Sequence, residues 1–476
     1  MPTKPTLNPE QTQAFKSIKK FLEHPNVNTF VLKGYAGTGK TFLMQHLGKW
    51  LEENEKTFRM LATTGRAATV LRGKTGFTAK TVHSELYNFS KVEGVEDEGG
   101  PDYTGIQPVN KNGQTFMQFL TRIPDNEDDK VVYIVDEASM LSGQLTSESM
   151  FATFGSGVLL DDLFEVAGKN KIIFVGDPCQ LPPVKQNFSP ALDLEWLLQK
   201  QRDAITFTLQ TIERTDLGND ILKLAQSVRE MSQQPDIGRF PKLPASNLNN
   251  VKLYTSEKEL FKAYQERYRQ KGTNGTLAIA RSNKTVQNIN KAMRRDLFGS
   301  ADLPLQRGDI LLVTQNNYTV PLTNGDFVTI AELGEFIAKA NLRFQKVKVK
   351  AVASELEYHI LLSLDALHNI KGNLTDDEQS FLMIDFNKRM QNKNIKPNGE
   401  IYKKKMLEDE YLNCLRTTYG YAVTCHKAQG GEWNDVFLFL DKSMYGMKHP
   451  ELCKWWYTSI TRAKQELNLV KDWWIV

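Results

Sequence analysis

Short apolar runs recur along the chain at 29–33, 59–62, 131–135, 171–175, 277–280, 421–424 and 436–440, and each ends in a polar or glycine-rich turn. Unbroken hydrophobicity over strand length suits strands buried on both faces of a parallel sheet. Helix-like stretches such as 42–53 and 220–231 lie between them. Strands alternating with helices predict an α/β architecture. In open α/β sheets the chemistry gathers where strands end, and most of the suggestive residues here follow an apolar run.

Two segments break the alternation. Residues 85–130 are polar and flecked with aromatics, with acidic clusters at 93–98 and 125–129, and they read as an insertion rather than core. From 307 to about 364 the pattern turns β-rich, through "RGDILLVTQNNY", "NGDFVTI" and the alternating "RFQKVKVKAV". That pattern predicts a small antiparallel barrel inserted into an α/β domain. A charged, helix-like stretch follows at 375–411, with the basic "YKKKM" toward its end.

At 476 residues the chain exceeds what one hydrophobic core supports, and length suggests about three domains. Hydrophobic content of 40% and charged content of 24% are those of an ordinary globular protein. Residues 1–20 lack the apolar centre of a signal peptide, and no run approaches the ~18–20 residues that span a bilayer. The expectation is a cytoplasmic protein with no membrane partner. The four cysteines, Cys179, Cys414, Cys425 and Cys453, form no C-x-x-C pair, which argues against a zinc site or a disulfide framework. A net charge of +4 neither demands nor excludes nucleic acid, so a basic groove would have to be local.

Gly34-Tyr35-Ala36-Gly37-Thr38-Gly39-Lys40-Thr41 fits the P-loop pattern G-x-x-x-x-G-K-[ST] between a predicted strand and helix. Its glycines let backbone N–H groups turn toward phosphate oxygens at a helix N-terminus. Lys40 would reach the β- and γ-phosphates, and the Thr41 hydroxyl would hold Mg²⁺. Chance supplies about 0.02 such matches in a chain of this length. The run at 131–135 ends in Asp136-Glu137, which places a metal carboxylate at Asp136 and a general base for the attacking water at Glu137. Nucleoside triphosphate hydrolysis follows from that pairing. In "GDPCQLPP" Gln180 follows a proline-set turn where an amide could report on the γ-phosphate, while Cys179 reads as a packed small residue. Cys425 beside His426 has the residue types of a thiol nucleophile and its base. Nothing nearby argues for an oxyanion hole or a third orienting group, so burial of Cys425 is favoured.

The order of these motifs resembles superfamily 1 helicases, in particular the RecD-like and Dda-like branch. "LNPEQTQAF" is similar to the adenine-reading Q motif with Gln11 at its key position, "GYAGTGKT" to motif I, "LATTGRAATVL" to motif Ia and "TVHSEL" to motif Ib. "VDEASM" resembles motif II, "GDPCQLPPV" motif III, "TIERT" motif IV, "TCHKAQGGEW" motif V and "YTSITRA" motif VI, all in the family's order between residues 8 and 463.

That resemblance implies two RecA-like P-loop domains: residues 1–205 with the insertion 85–130, and residues 206–306 with 412–476. Residues 307–411 would form an inserted SH3-like barrel with its charged helical segment. It implies that Gln180, Arg214 and Arg462 contact the γ-phosphate, the arginines from the second domain. Gln429, Gly430 and Glu432 would sense ATP, and Thr63, Thr64, His83, Thr424 and His426 would touch a nucleic-acid backbone. The insertion occupies the place of the family's strand-separating pin, with Tyr87, Phe89, Tyr103 and Phe116 as aromatic candidates for the fork. The implied activity is ATP- and Mg²⁺-dependent 5′→3′ translocation on single-stranded DNA with unwinding of forked DNA. The implied setting is DNA repair or recombination, with single-strand-binding or repair proteins as partners. Two readings stay open beside it: an RNA or RNA/DNA helicase, since backbone contacts do not settle sugar preference, and a nucleic-acid-stimulated ATPase that remodels protein–DNA complexes with little unwinding.

Overall fold

The structure, a computed structural model, describes residues 6–93, 116–125, 129–145, 152–212, 219–238, 240–397 and 399–476. Six parallel strands form the first sheet, in the order Ala79–Thr81, Phe58–Ala62, Val132–Asp136, Lys171–Gly176, Thr29–Gly34 and Ala204–Leu209. Side chains alternate across it: Val31, Tyr133 and Phe174 pack on one face, and Phe30, Leu32, Ile134 and Val175 on the other. Burial on both faces is why these strands read as unbroken apolar runs. All five strands whose ends carry candidate residues deliver them to the same edge.

A second sheet, in the order Val251–Tyr254, Ala463–Val470, Trp433–Phe439, Thr276–Ala280 and Ala422–Thr424, is also parallel. The expected α/β class therefore holds for both lobes. Its core is rich in aromatics, with Trp433, Trp455, Trp456, Tyr421 and Tyr264 all fully buried.

Residues after the helix Asn283–Phe298 leave this sheet and form a five-stranded antiparallel one, in the order Glu357–Ser363, Leu342–Ala351, Phe327–Lys339, Ile310–Val313 and Thr417–Tyr419. The first of these strands returns to the segment leading into the last: Leu415 N–H donates to Leu361 C=O at 2.7 Å, and Ser363 N–H to Leu415 C=O at 3.1 Å. Helices Asp376–Gln391 and Glu400–Leu407 lie within the expected charged stretch, the first opened by a Thr375–Glu378 capping box. The base of the insert is fixed by a buried pair: Arg294 and Asp309, 1% and 0% exposed, meet at 2.9 Å beneath Tyr419.

Two strands cross the boundaries expected from sequence. Ala204–Leu209 pairs along Thr29–Gly34, so the first lobe's sheet runs past 205. Thr417–Tyr419 pairs with Ile310–Val313, so the inserted sheet reclaims residues past 412. Partners distant in the chain decide both ends, and a local pattern carries no record of them.

The insertion at 85–130 is better anchored than a polar loop. Tyr87–Glu93 and Phe116–Thr121 form an antiparallel hairpin, to which Ala152–Phe154 adds a third, parallel strand. At its base Glu85, 7% exposed, binds Arg59 at 2.7 Å and Lys80 at 3.1 Å, while Asp125 binds Arg122 at 2.7 Å and also accepts from Tyr133. Desolvation is outweighed there by these donors, and Asp125 is held below the usual carboxylate range.

Candidate nucleotide cleft and strand-binding residues

The first strand's turn into helix Lys40–Glu53 is built by Gly37 and Gly39, whose φ values of 83° and 75° place them in the left-handed region. Lys40 Nζ donates to the carbonyls of Gly34 at 2.7 Å and Tyr35 at 3.0 Å. Gln11 sits behind the loop, 2% exposed, with Nε2 on Thr38 C=O at 3.1 Å and Oε1 accepting from Asn8 N–H at 3.1 Å. It thus supports the loop's outer wall. Thr38 is buried with its hydroxyl on Tyr35 C=O, and the Tyr35 ring turns out of the loop to stack under Arg229 at 4.0 Å.

A cavity of about 320 Å³ opens between the lobes. Ala36, Gly37, Gly39, Lys40, Thr41, Asp136, Glu137 and Gln180 line it from the first lobe, and Gly430, Glu432, Thr461 and Arg462 from the second. Its size is at the lower end of ordinary ligand sites. Burial, and then the Glu137 carboxylate beside it, raise Asp136 to about 7, with the Lys40 ammonium opposing. Glu137 itself holds φ 52°, a left-handed conformation that non-glycine residues seldom adopt and that gathers at functional sites. Gln180 is 4% exposed, lines the cavity, and has its Oε1 unpartnered among the described residues.

Arg462, 5% exposed, is held from three directions: Nε on Thr458 C=O at 3.0 Å, one terminal nitrogen on Gly431 C=O at 3.1 Å and the other on Thr461 Oγ1 at 3.1 Å. Gly430 approaches so closely, with φ 75°, that an added Cβ would sit 2.9 Å from Ala67 Cβ on the opposite lobe. Lys74 and Glu432 meet across the same opening at 3.4 Å. Arg214 lies outside the described residues.

The expected strand contacts are spread along the strand ends rather than gathered in one cavity. Thr64 caps the helix Gly65–Thr75 by accepting from Ala67 N–H at 3.1 Å, and Thr63 Oγ1 lies 3.5 Å from Met140 Sδ. His83 is exposed and packs edge-on to Phe154 with ring centres 5.9 Å apart. Thr424 is 9% exposed at the start of a short helix, without a side-chain cap bond. His426 faces a separate cavity of about 330 Å³ with Leu181, Arg281, Ser282, Asn283 and Trp455. Of the hairpin aromatics, Tyr87 donates to Asp162 at 2.6 Å, and Tyr103 lies outside the described residues, as do the side chains of Phe89 and Phe116. Cys425 is fully buried, accepts from Ser459 Oγ at 3.1 Å and is pushed up by burial to about 12. A thiol held that high is not a nucleophile near neutral pH.

Sequence reasoning missed several groups. Tyr457, Thr458 and Asp177 join the lobes by hydrogen bonds described below. Arg66 lies 4.2 Å from the Trp433 ring and 5.1 Å from that of Phe327, lowered by burial to about 10. Burial of a charged residue within a motif was the only available signal, and sequence does not print burial.

The fold has known counterparts. The crystal structure of Pif1 helicase from Bacteroides in complex with ADP-AlF3 and ssDNA superposes with a TM-score of 0.51 at 15% identity, covering 99% of this chain and 95% of that one. A second, of Bacteroides Pif1 bound to ssDNA, gives 0.50 at 15% identity, covering 99% and 93%. A family model described as an AAA domain matches residues 6–237, and one described as a UvrD-like helicase C-terminal domain matches residues 419–470. RecBCD enzyme subunit RecD of Buchnera aphidicola is 22% identical over 359 residues, 71% of this chain and 53% of that protein. In these matches and in its fold the chain is similar to superfamily 1 helicases of the RecD and Pif1 type.

Its α/β lobes share the RecA-like fold of those Pif1 structures. Its length is matched end to end by an uncharacterized protein of Acanthamoeba polyphaga mimivirus, 21% identical over 95% of this chain and 98% of that one. An uncharacterized Methanocaldococcus jannaschii protein is 23% identical over 93% of this chain, which spans only 36% of that longer protein. Among the described residues no helix is long and apolar enough to cross a membrane.

Proposed function

We propose that the protein is an ATP-dependent superfamily 1 helicase that hydrolyses ATP in the interlobe cavity and uses the resulting lobe motion to move 5′→3′ along single-stranded DNA and open duplex ahead of it. The observation that carries this reading is the placement of Arg462, from the second lobe, in the cavity lined by Lys40 and the Asp136–Glu137 pair of the first. Lys40 and the P-loop amides would grip the phosphates, Glu137 would take the proton of the attacking water, and Gln180 would orient that water against the γ-phosphate. Arg462 would act as the finger that stabilises transition-state charge, a role worth ~10³–10⁵ in rate; Arg214 is proposed as a second. Thr41 and Asp136 offer a hydroxyl and a carboxylate at the phosphate end, an all-oxygen donor pair that suits Mg²⁺. The ion would supply charge neutralisation on the phosphate oxygens.

Thr63, Thr64, His83, Thr424 and His426 are proposed as backbone contacts, which suits a motor that must pass over any base sequence. The hairpin Tyr87–Glu93/Phe116–Thr121 is proposed as the strand separator at a fork. The return of Leu415 onto Leu361 and Ser363 supports the SH3-like barrel reading of the inserted sheet. We divide the chain accordingly into a first RecA-like lobe ending near 209, an insert from about 307 to 419, and a second lobe from the remainder.

The experiment is unwinding of duplexes bearing a 5′ or a 3′ single-stranded tail, each made in DNA and in RNA. The reading expects unwinding of the 5′-tailed DNA. Preference for the 3′ tail would overturn the polarity, RNA preference would overturn the substrate, and stimulated hydrolysis without unwinding would favour protein displacement.

A further inference from the structure

The second lobe carries Arg462 at the end of helix Glu451–Ile460, yet nothing in the guanidinium's own bonds reaches the first lobe: Thr458, Gly431 and Thr461 all belong to the second. Something else must register that helix against the P-loop. Two residues of its last turn do so. Tyr457 Oη accepts from Ala36 N–H of the P-loop at 2.9 Å and donates to Asp177 Oδ2 at 2.7 Å. Thr458 Oγ1 accepts from Leu181 N–H at 2.9 Å, one residue beyond Gln180. Thr458 then holds Arg462 Nε through its carbonyl. All of these side chains are buried, with Tyr457 at 2%, Thr458 at 0% and Asp177 at 0% exposure. Asp177 uses its other oxygen on Cys179 N–H at 2.9 Å, so it is fixed before Tyr457 arrives.

Resting on the finger reading above, we propose that Tyr457 is a positioning residue whose hydroxyl seats Arg462 in the ATP cavity by bonding the P-loop and Asp177 at once. One phenol oxygen thereby ties together two first-lobe loops, the one that carries Lys40 and the one that carries Gln180. Separation of the lobes breaks both bonds together, so the finger is aligned only while the cleft is shut. A buried phenol bonded to a carboxylate is a short, charge-assisted contact, stronger than a neutral pair, and in a low-dielectric cleft its loss leaves Asp177 short of a donor.

Tyr457→Phe removes one oxygen and keeps the ring, so packing survives. We expect strand-stimulated kcat to fall about tenfold or more, with KM for ATP changed much less, because Lys40 and Thr41 make no bond to Tyr457 and keep their places on the first lobe. The decisive measurement is the double variant Tyr457→Phe/Arg462→Ala beside each single one. If Tyr457 works through Arg462, the double variant is no slower than Arg462→Ala alone. Two results would overturn the proposal: a wild-type rate for Tyr457→Phe, or rate losses that multiply in the double variant. A wild-type rate for Arg462→Ala would instead sink the finger reading and leave the Tyr457 bonds as structure only. Thermal unfolding of Tyr457→Phe, read in parallel, separates a lost fold from a lost alignment.

Discussion

Gly430→Ala tests whether the cleft must shut to within van der Waals contact. Gly430 stands at φ 75°, and a Cβ there would lie 2.9 Å from Ala67 Cβ, 3.3 Å from its Cα and 3.4 Å from its N. An L-residue held in the left-handed region costs roughly 1–2 kcal/mol. The contact adds to that, since Ala67 belongs to the rigid helix Gly65–Thr75 and no flexible side chain can yield. The cheapest relief is a cleft that stays open by a few tenths of an ångström. Opening relieves the contact and not the φ cost; overpacking of this kind costs about 1–3 kcal/mol, which shifts the shut-to-open ratio by about 5-fold or more, and ATP, proposed to bind both lobes, should lose affinity by a similar factor. Steady-state hydrolysis in saturating single-stranded DNA reads this as a rise in KM. Adding Ala67→Gly should recover the contact part and leave the backbone part, with Ala67→Gly alone as the control. Unchanged KM and kcat in Gly430→Ala would refute the reasoning, because the lobes would then not approach as closely during turnover as they do here.

Lys40→Ala should abolish hydrolysis while leaving the melting temperature near wild type; turnover at the original rate would remove the P-loop from the mechanism. Thr424→Ala combined with His426→Ala should cut stimulation by single strands more than basal hydrolysis, and equal losses of both would count against strand contact. Arg294→Ala leaves Asp309 buried at 0% exposure without its ion partner, a defect worth about 3–5 kcal/mol. Calorimetry should show a markedly earlier unfolding transition, and an unshifted one would mean that the Arg294–Asp309 pair does not hold the base of the insert.

Much of the proposed nucleotide site was legible because its chemistry is local. A P-loop needs glycines, a lysine and a hydroxyl within eight positions, and the carboxylate pair needs only a buried strand to end on it. The pairs Asp136–Glu137 and Gly430–Glu432 accordingly meet Lys40 and Arg462 in one cavity, as the motif order leads one to expect. Strand positions were legible for a related reason. Burial on both faces leaves a run of apolar residues whatever the neighbour.

What tertiary structure alone decided concerns partners far apart in the chain. Tyr457 and Ala36 are 421 positions apart, and no periodicity couples them. The sheet edges were likewise undecidable, since Ala204–Leu209 and Thr417–Tyr419 take their places from strands they meet only after folding. The same holds for Gln11, which braces the P-loop from behind, and for Arg66, which is caught between Trp433 and Phe327. A sequence records the residue types that a reaction needs, because those follow from chemistry at short range. Which hydroxyl bridges two lobes, and which strand closes a sheet, depends on distances that exist only once the cores have packed.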